Sequence, residues 1–585
     1  MPVGVFSGCA AVRELLFTLS TVTRFAMHRN CILCSFALAS PGILAHSAQK
    51  HLAEQWHVSS NIRDTIMWNE KIEQEKQKRL RHLEGGGSAR VERQHQSGKL
   101  TAWERIDYLL DPDTFVELKS CMETDTSASS FGKSTAYPGD GVLTGWGCIN
   151  GRKVCVAAED FTVIGGTLGV THAKKIAALQ DLAFSMQVPV IFLNDSGGAR
   201  IEEGINALSG YGEIFSRHVK ASGVIPQICA ILGPCSGGAC YSPALCDFIF
   251  CVREISKMFI TGPAVVESVL GSRPTLEELG GAEMHSEKSG VVHALFNDEI
   301  SCLKGIRTLL SYLPSNNREL PPDCTAGLPV KKTGPSFTEL VPDNVRKAYD
   351  MHRVIDRIMD HVPFFEIQKH FAKNAIVGFA YLNGKVTGVI ANQPLEMGGS
   401  LDCDSSDKIA RFIRFCDCFH IPLLTLVDVP AFFPGKEQEQ KGIIRHGAKM
   451  LYAYSEARVP KVTVILRKAY GGAFIAMNSK TMSADFVYAW PIAEIAVMGA
   501  EGAVGILYKK ELARSEHPQE DFQRLKGEYE ENFLNPDIAE KKGFVDEVIL
   551  PEETRDKLIR AFDFLECKNH PDTSFTQKRH GNIPL

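Results

Sequence analysis

Ile225-Pro226-Gln227-Ile228-Cys229-Ala230-Ile231-Leu232 is a short apolar run, and Gly237-Gly238-Ala239 begins 11 residues after Pro226. The second half repeats the phrase as Val459-Pro460-Lys461-Val462-Thr463-Val464-Ile465-Leu466, with Gly471-Gly472-Ala473 again beginning 11 residues after Pro460. Upstream, Val188-Pro189-Val190-Ile191-Phe192-Leu193 places Pro189 37 residues before Pro226, and Ile421-Pro422-Leu423-Leu424-Thr425-Leu426-Val427 places Pro422 38 residues before Pro460. Each half then offers another glycine-containing strand end, Phe259-Ile260-Thr261-Gly262-Pro263 and Ile495-Ala496-Val497-Met498-Gly499. Matched spacing of this kind is an internal repeat. Short β-branched runs alternating with helical stretches predict α/β units with largely parallel strands. The expected fold class is therefore α/β, built as two tandem, related domains.

A strand that ends in Gly-Gly-Ala and opens a helix points successive main-chain N–H groups at one spot, near the positive end of the helix dipole. Glycines let a ligand approach the backbone closely, and rigid donors are what an enolate or a tetrahedral oxyanion needs. One such turn is common packing. Two at equivalent positions of a repeat predict paired anion cradles.

The chain has 585 residues, several times the usual single-core size, with 44% hydrophobic and 23% charged residues, an ordinary globular balance. Sixty-four Lys+Arg against 69 Asp+Glu leave −5, so no basic excess points to nucleic acid. The 17 scattered cysteines suit reduced thiols better than a disulfide framework. No run of 18 apolar residues predicts a membrane span. Residues 1–50 carry Arg13, Arg24, Arg29 and Lys50 but only Glu14 as an acid, which is transit-peptide composition and predicts the mitochondrial matrix. A secretory leader over Met27 to Leu44 is the rival reading. Residues 62–83 read as an exposed helix, and a Pro-rich polar stretch after Leu313 reads as a linker. The expected division is 1–50 transit segment, 51–320 first domain, 321–336 linker and 337–585 second domain.

Familiar catalytic groupings are missing. Gly132-Lys133-Ser134-Thr135 resembles the end of a phosphate loop, but position 127 is Ser where Gly is required. Cys31-x-x-Cys34 lacks a second ligand pair, and no His-Glu-x-x-His run or Gly-x-Ser-x-Gly elbow occurs, so no metal is expected. Cys235 or Ser236 could serve as a nucleophile, which keeps a serine- or cysteine-dependent hydrolase as an alternative. His285, His293 and His446 read as structural histidines. A cofactor that brings its own base fits the pattern.

From about Gly85 to Leu585 the chain resembles the carboxyltransferase subunits of biotin-dependent acyl-CoA carboxylases. The matching stretches include Gly139-Asp140-Gly141, Asp160-Phe161-Thr162 to Gly165-Gly166, Asn194-Asp195-Ser196-Gly197-Gly198-Ala199-Arg200-Ile201 and Gly233-Pro234-Cys235-Ser236-Gly237-Gly238-Ala239. They continue with Gly442-Ile443-Ile444-Arg445-His446-Gly447-Ala448-Lys449, Arg467-Lys468-Ala469-Tyr470-Gly471-Gly472-Ala473 and the ending Arg579-His580-Gly581-Asn582-Ile583-Pro584-Leu585.

The resemblance implies two crotonase-like domains in a hexameric ring, with each site between the first domain of one chain and the second domain of another. Acyl-CoA would lie on the first domain, along Gly165, Gly166, Gly197, Gly198, Ala199 and Arg200. The Gly237 and Gly238 amides would hold the thioester oxygen, and those of Gly472 and Ala473 the biotin ureido oxygen, with Ala431 and Phe432 on the biotin side. Biotin, carried covalently by a partner, would deliver the carboxyl group and take the α-proton, so propionyl-CoA would become methylmalonyl-CoA without a side-chain base.

Two departures stand out. Ala431 replaces a common glycine, which would be strained if that position uses positive φ. Ile475 replaces a common Asp, which implies graded use of acetyl-CoA as well. The chain has no Met-Lys-Met biotin acceptor. It would therefore depend on a biotin carboxylase and carrier α subunit, in an assembly of the α6β6 type. A methylcrotonyl-CoA carboxyltransferase and a non-catalytic assembly scaffold are the remaining alternatives.

Overall fold

The computed structural model describes residues 65, 67–125, 127, 136–324, 334–568 and 578–584. The transit segment, Cys31, Cys34, Gly132 to Thr135 and most of the expected linker lie outside the described residues. Residues 67–83 are helical and mostly exposed.

Leu80–Leu585 forms a compact unit built on two eight-stranded sheets. The first contains β1 (Val116–Glu117), β2 (Val142–Ile149), β3 (Arg152–Glu159), β4 (Val190–Ser196), β5 (Gln227–Ser236), β6 (Phe248–Val252), β7 (Lys257–Phe259) and β8 (Ala294–Phe296). The second contains β9 (Phe365–Ile367), β10 (Ala375–Leu382), β11 (Lys385–Asn392), β12 (Leu423–Val429), β13 (Lys461–Tyr470), β14 (Phe486–Ala489), β15 (Glu494–Ala496) and β16 (Glu547–Val548). Their orders match: β1-β2-β3-β4-β5-β6-β8 with β7 on β5, and β9-β10-β11-β12-β13-β14-β16 with β15 on β13. Parallel pairing begins only at β3 and at β11; the strands before them are antiparallel, joined in each sheet by a hairpin whose two-residue turn is Asn150-Gly151 or Asn383-Gly384.

Seven helices position the chemistry: α1 (Ala102–Leu109), α2 (Val170–Met186), α3 (Ile205–Ala221), α4 (Gly238–Ala244), α5 (Cys403–Cys418), α6 (Ile443–Glu456) and α7 (Gly471–Ala476). The repeat reaches into the interior. Lys175 of α2 donates to the Gly139 and Val142 carbonyls, and Lys408 of α5 donates to those of Gln368, Phe371 and Ala375. Burial lowers both ammonium groups, to about 8 and about 7.

The two sheets share one core. Phe248 lies 4.6 Å from Phe415 and 6.1 Å from Phe379, and Tyr312 stacks on Tyr381 at 4.8 Å. The C-terminal residues strap this seam. Asn582 donates to Asp247 at 2.9 Å in the first half, while Arg579 and His580 hold Asp417 of α5 at 2.8 and 3.0 Å. Burial would raise the Asp417 carboxyl, but His580, the Arg579 guanidinium and the Arg458 N–H bring it down to about 2.

An unfolded aspartate titrates near pH 4, so this contribution is complete above about pH 4 and is lost as pH falls toward about 2. Asp417→Asn is expected to flatten the dependence of unfolding free energy on pH across that window. An unchanged slope in denaturant titrations would remove Asp417 from the acid limb.

Candidate active site

In each half, the central strand carries the chain past a β-bulge to a glycine turn. The bulges fall at Asn194/Ser196 and at Val427/Val429, beside strand partners Cys235 and Ala469. At each bulge an aspartate is fully buried, Asp195 and Asp428. A buried carboxylate needs charge and hydrogen-bond partners, and the two halves find them differently. Asp195 is held by Arg105 of α1 at 3.0 Å and by Lys99 at 2.9 Å, with Arg105 also forked onto Glu299. Asp428 is held by Arg467 and Lys468 of the neighbouring strand β13, each at 3.0 Å.

Against each bulge packs a Gly-Gly turn. A Cβ on Gly166 would meet the Asp195 carbonyl oxygen at 2.2 Å, and one on Gly399 would meet that of Asp428 at 2.5 Å. Gly166 is therefore spent on packing. Gly165 accepts from the Gly197 N–H at 2.9 Å, and Gly197 itself is exposed. Gly198 uses φ +100, with the position of a Cβ only 2.7 Å from the Ser236 carbonyl oxygen. Ala199 is half-buried and bridges Leu168. Arg200 closes this turn. Its guanidinium is buried against Asp140 at 2.9 Å, Glu203 at 2.7 Å and the Thr167 carbonyl at 2.8 Å, so it fixes the turn.

Gly237 has φ 60 and ψ −125, a conformation that side chains oppose, and its N–H donates to the Phe259 carbonyl at 3.0 Å. The Gly237 amide is thus engaged within the fold, beside the Gly238 amide. The residues equivalent to Gly472 and Ala473 are Gly238 and Ala239. Among the described residues, no backbone acceptor takes the N–H of Gly238, Ala239, Gly472 or Ala473.

The two turns differ in what lies beneath them. A Cβ on Gly238 would strike the Tyr211 ring at 2.7 Å, whereas one on Gly472 would only touch the Phe432 ring at 4.0 Å. Phe432 is wedged between Gly472 and Gly447, whose own Cβ would lie 3.2 Å from it. Ala431 donates nothing to strain, since its φ is not positive; its carbonyl accepts from Leu401 at 3.0 Å. Gly472 is exposed and opens on a cavity of about 630 Å³ walled by Phe474, Ile475, Val497, Phe533 and Phe544, with Lys542 at its edge. Ile475 is 42% exposed, free to touch what enters.

The nucleophile reading finds no support in the local geometry. Cys235 is fully buried, and burial pushes its thiol far above the ordinary value. Ser236 donates to the Gly197 carbonyl at 2.7 Å rather than to a histidine. His285, His293 and His446 are engaged by Met258 and Ser289, by Ile249 and Arg411, and by Asp407. Sequence reasoning missed the paired buried aspartates, although an acid at the same point of both repeats was a usable signal.

Two fused α/β units, each carrying a Gly-Gly-Ala turn from a central strand into a helix, define the class of fold. The carboxyl transferase domain matches residues 93–583, and the chain belongs to that family. A putative propionyl-CoA carboxylase beta chain from Bacillus subtilis (strain 168) is 53% identical over 88% of this chain and 100% of its own. The mitochondrial propionyl-CoA carboxylase beta chain of Homo sapiens is 50% identical over 88% and 94%. The crystal structure of transcarboxylase 12S, described as a hexamer assembly with methylmalonyl-coenzyme A bound, superposes with a TM-score of 0.83 at 46% identity, covering 88% of this chain and 98% of that one. The fold is the two-domain, crotonase-like carboxyltransferase fold.

Proposed function

We propose that this chain is the carboxyltransferase subunit of a biotin-dependent acyl-CoA carboxylase, moving a carboxyl group from a partner's biotin to the α-carbon of propionyl-CoA to give methylmalonyl-CoA. The observation that carries the reading is the pair of open amide turns at equivalent strand ends. The family's relatives with propionyl-CoA in their names support the substrate.

The residues fit both reactants. Thioester oxygen gains negative charge as an enolate forms, and the Gly238 and Ala239 N–H groups are the open donors for it, over the exposed Gly197 edge. Gly472 and Ala473 offer the matching donors to a ureido oxygen, with the Phe432 ring below and a largely apolar cavity alongside. Biotin, when docked there, supplies the carboxyl group and the basic nitrogen that accepts the α-proton. The chain's own residues bind, align and stabilise charge, which is why none of its histidines needs to be free.

Because each half offers one cradle, a hexameric core in which the first half of one chain meets the second half of its neighbour would complete the site. A biotin-bearing α subunit would complete the enzyme, and residues 1–50 would direct it to the mitochondrial matrix. The test is reconstitution of the purified chain with a biotinylated carrier and a panel of propionyl-, acetyl- and methylcrotonyl-CoA. ATP-dependent carboxylation by the chain alone, or a streptavidin-positive chain, would overturn the division of labour. A panel that prefers methylcrotonyl-CoA would move the substrate.

Ile475 lines the second-half cavity, where one methylene alters discrimination by about 1–3 kcal/mol. Ile475→Asp is expected to lower acetyl-CoA turnover relative to propionyl-CoA. An unchanged ratio of kcat/KM values would locate the preference elsewhere.

A further inference from the structure

β7 is a strand of three residues, paired along one side with Pro234, Cys235 and Ser236 of β5. Its last residue anchors the first glycine turn, because the Phe259 carbonyl accepts the Gly237 N–H at 3.0 Å. On its other side β7 makes only the Lys257–Gly281 bridge among the described residues. Beside that bridge, the Met258 carbonyl is met by two residues of the segment that follows. Gly280 comes so close that a Cβ on it would lie 2.0 Å from this oxygen, and His285 reaches the same oxygen through Nε2 at 2.8 Å. One imidazole therefore clamps the strand whose next carbonyl holds the turn.

The surroundings fix the imidazole as a donor. A carbonyl oxygen only accepts, so Nε2 carries the proton, and Nδ1 accepts from the Ser289 hydroxyl at 2.7 Å. His285 and Ser289 are the two ends of a single π turn, and the His285 N–H is itself held by the Gly281 carbonyl at 3.1 Å. Such turns gather at functional sites. The second half has a π turn at the same point of its order, Glu530–Leu534, between β15 and β16. It opens on the exposed Glu530, whose carboxylate pairs with Lys526 at 3.6 Å and has no proton to give a strand carbonyl. The imidazole clamp is a feature of the first half.

We propose that His285 is a positioning residue for carboxyl transfer: by donating to the Met258 carbonyl it holds β7 where the Phe259 carbonyl anchors the Gly237 amide, and so aims the Gly238 and Ala239 N–H groups at the substrate oxygen. The proposal rests on the reading that this turn steadies the thioester oxygen of propionyl-CoA. Without the clamp, a strand of three residues is free to shift, and misplacing an aligned group by about 1 Å costs on the order of a hundredfold in rate. Contacts to the rest of the acyl-CoA do not run through β7, so the loss falls on turnover.

The test uses the full chain with its biotinylated partner, varying propionyl-CoA. His285→Leu removes the donor and is expected to lose about tenfold in kcat while keeping KM for propionyl-CoA within about threefold. His285→Gln places an amide N–H at the ε position and is expected to return kcat to within about threefold of the wild type. Full kcat in His285→Leu, a loss carried wholly by KM, or a His285→Gln chain no faster than His285→Leu overturns the proposal. If His285→Leu fails to fold, His285→Gln decides alone: kcat within about threefold of the wild type supports the donor, and a larger loss overturns it. A wild-type chain that transfers nothing to propionyl-CoA overturns the functional reading, and the proposal with it, before any variant is compared.

Discussion

Gly472→Val is expected to reduce carboxyl transfer by about a hundred- to a thousandfold, the cost of denying a ligand one preorganised main-chain donor, while leaving the folded chain intact. The structure separates the two effects. Gly472 is exposed, its φ is not positive, and among the described residues the only atoms near a Cβ there are two carbons of the Phe432 ring at 4.0 Å. A valine therefore stands in the mouth of the cavity over the amide without displacing backbone. Gly238→Ala is the control with the opposite character. Its methyl would lie 2.7 Å from the Tyr211 ring, so activity and thermal stability should fall together. Transfer assays paired with thermal unfolding check both variants. A Gly472→Val chain with normal transfer would take the second turn out of the mechanism.

Arg105→Leu is expected to be the most destabilising single change. Arg105 is fully buried, where burial alone would lower its guanidinium, yet Asp195 and Glu299 hold it charged and above its ordinary value. Taking it away leaves Glu299 without its cation and Asp195 with Lys99 and the neutral Gln94 amide among the described residues. Breaking a buried ion cluster on one side costs about 3–5 kcal/mol. Because Asp195 sits at the bulge that leads to Gly197 and Gly198, residual folded protein should also transfer carboxyl poorly. Denaturant unfolding decides the case, and a loss below about 1 kcal/mol, the level of an exposed pair, would show that the cluster is dispensable.

The repeat and its glycine turns were legible because they depend on local spacing: a proline, eleven residues, and two glycines, written twice. The family was legible from long stretches such as Asn194 to Ile201. What stayed hidden depends on contacts between residues far apart in the chain. Arg105 reaches Glu299 across 194 positions, and the strap of Arg579 to Asn582 meets residues between 159 and 360 positions earlier. Arg200 stood in the sequence only as part of a motif, and the fold shows Asp140 and Glu203 closing on it. Gly237 looked equivalent to a donor, and only the β5–β7 pairing reveals that Phe259 consumes its N–H. The antiparallel start of each sheet was missed because hairpin strands buried on both faces read like parallel ones.

The two buried acids take their counter-charge from different places. Asp428 draws its bases from the strand next door, whereas Asp195 borrows from a helix upstream of the duplicated sheet. Excising the first half along the symmetry of the repeat, from β2 onward, would strand an anion in oil, while the second half would travel with its own neutraliser. Any attempt to shrink this enzyme to a minimal module must therefore carry residues 99–109 as part of the first unit.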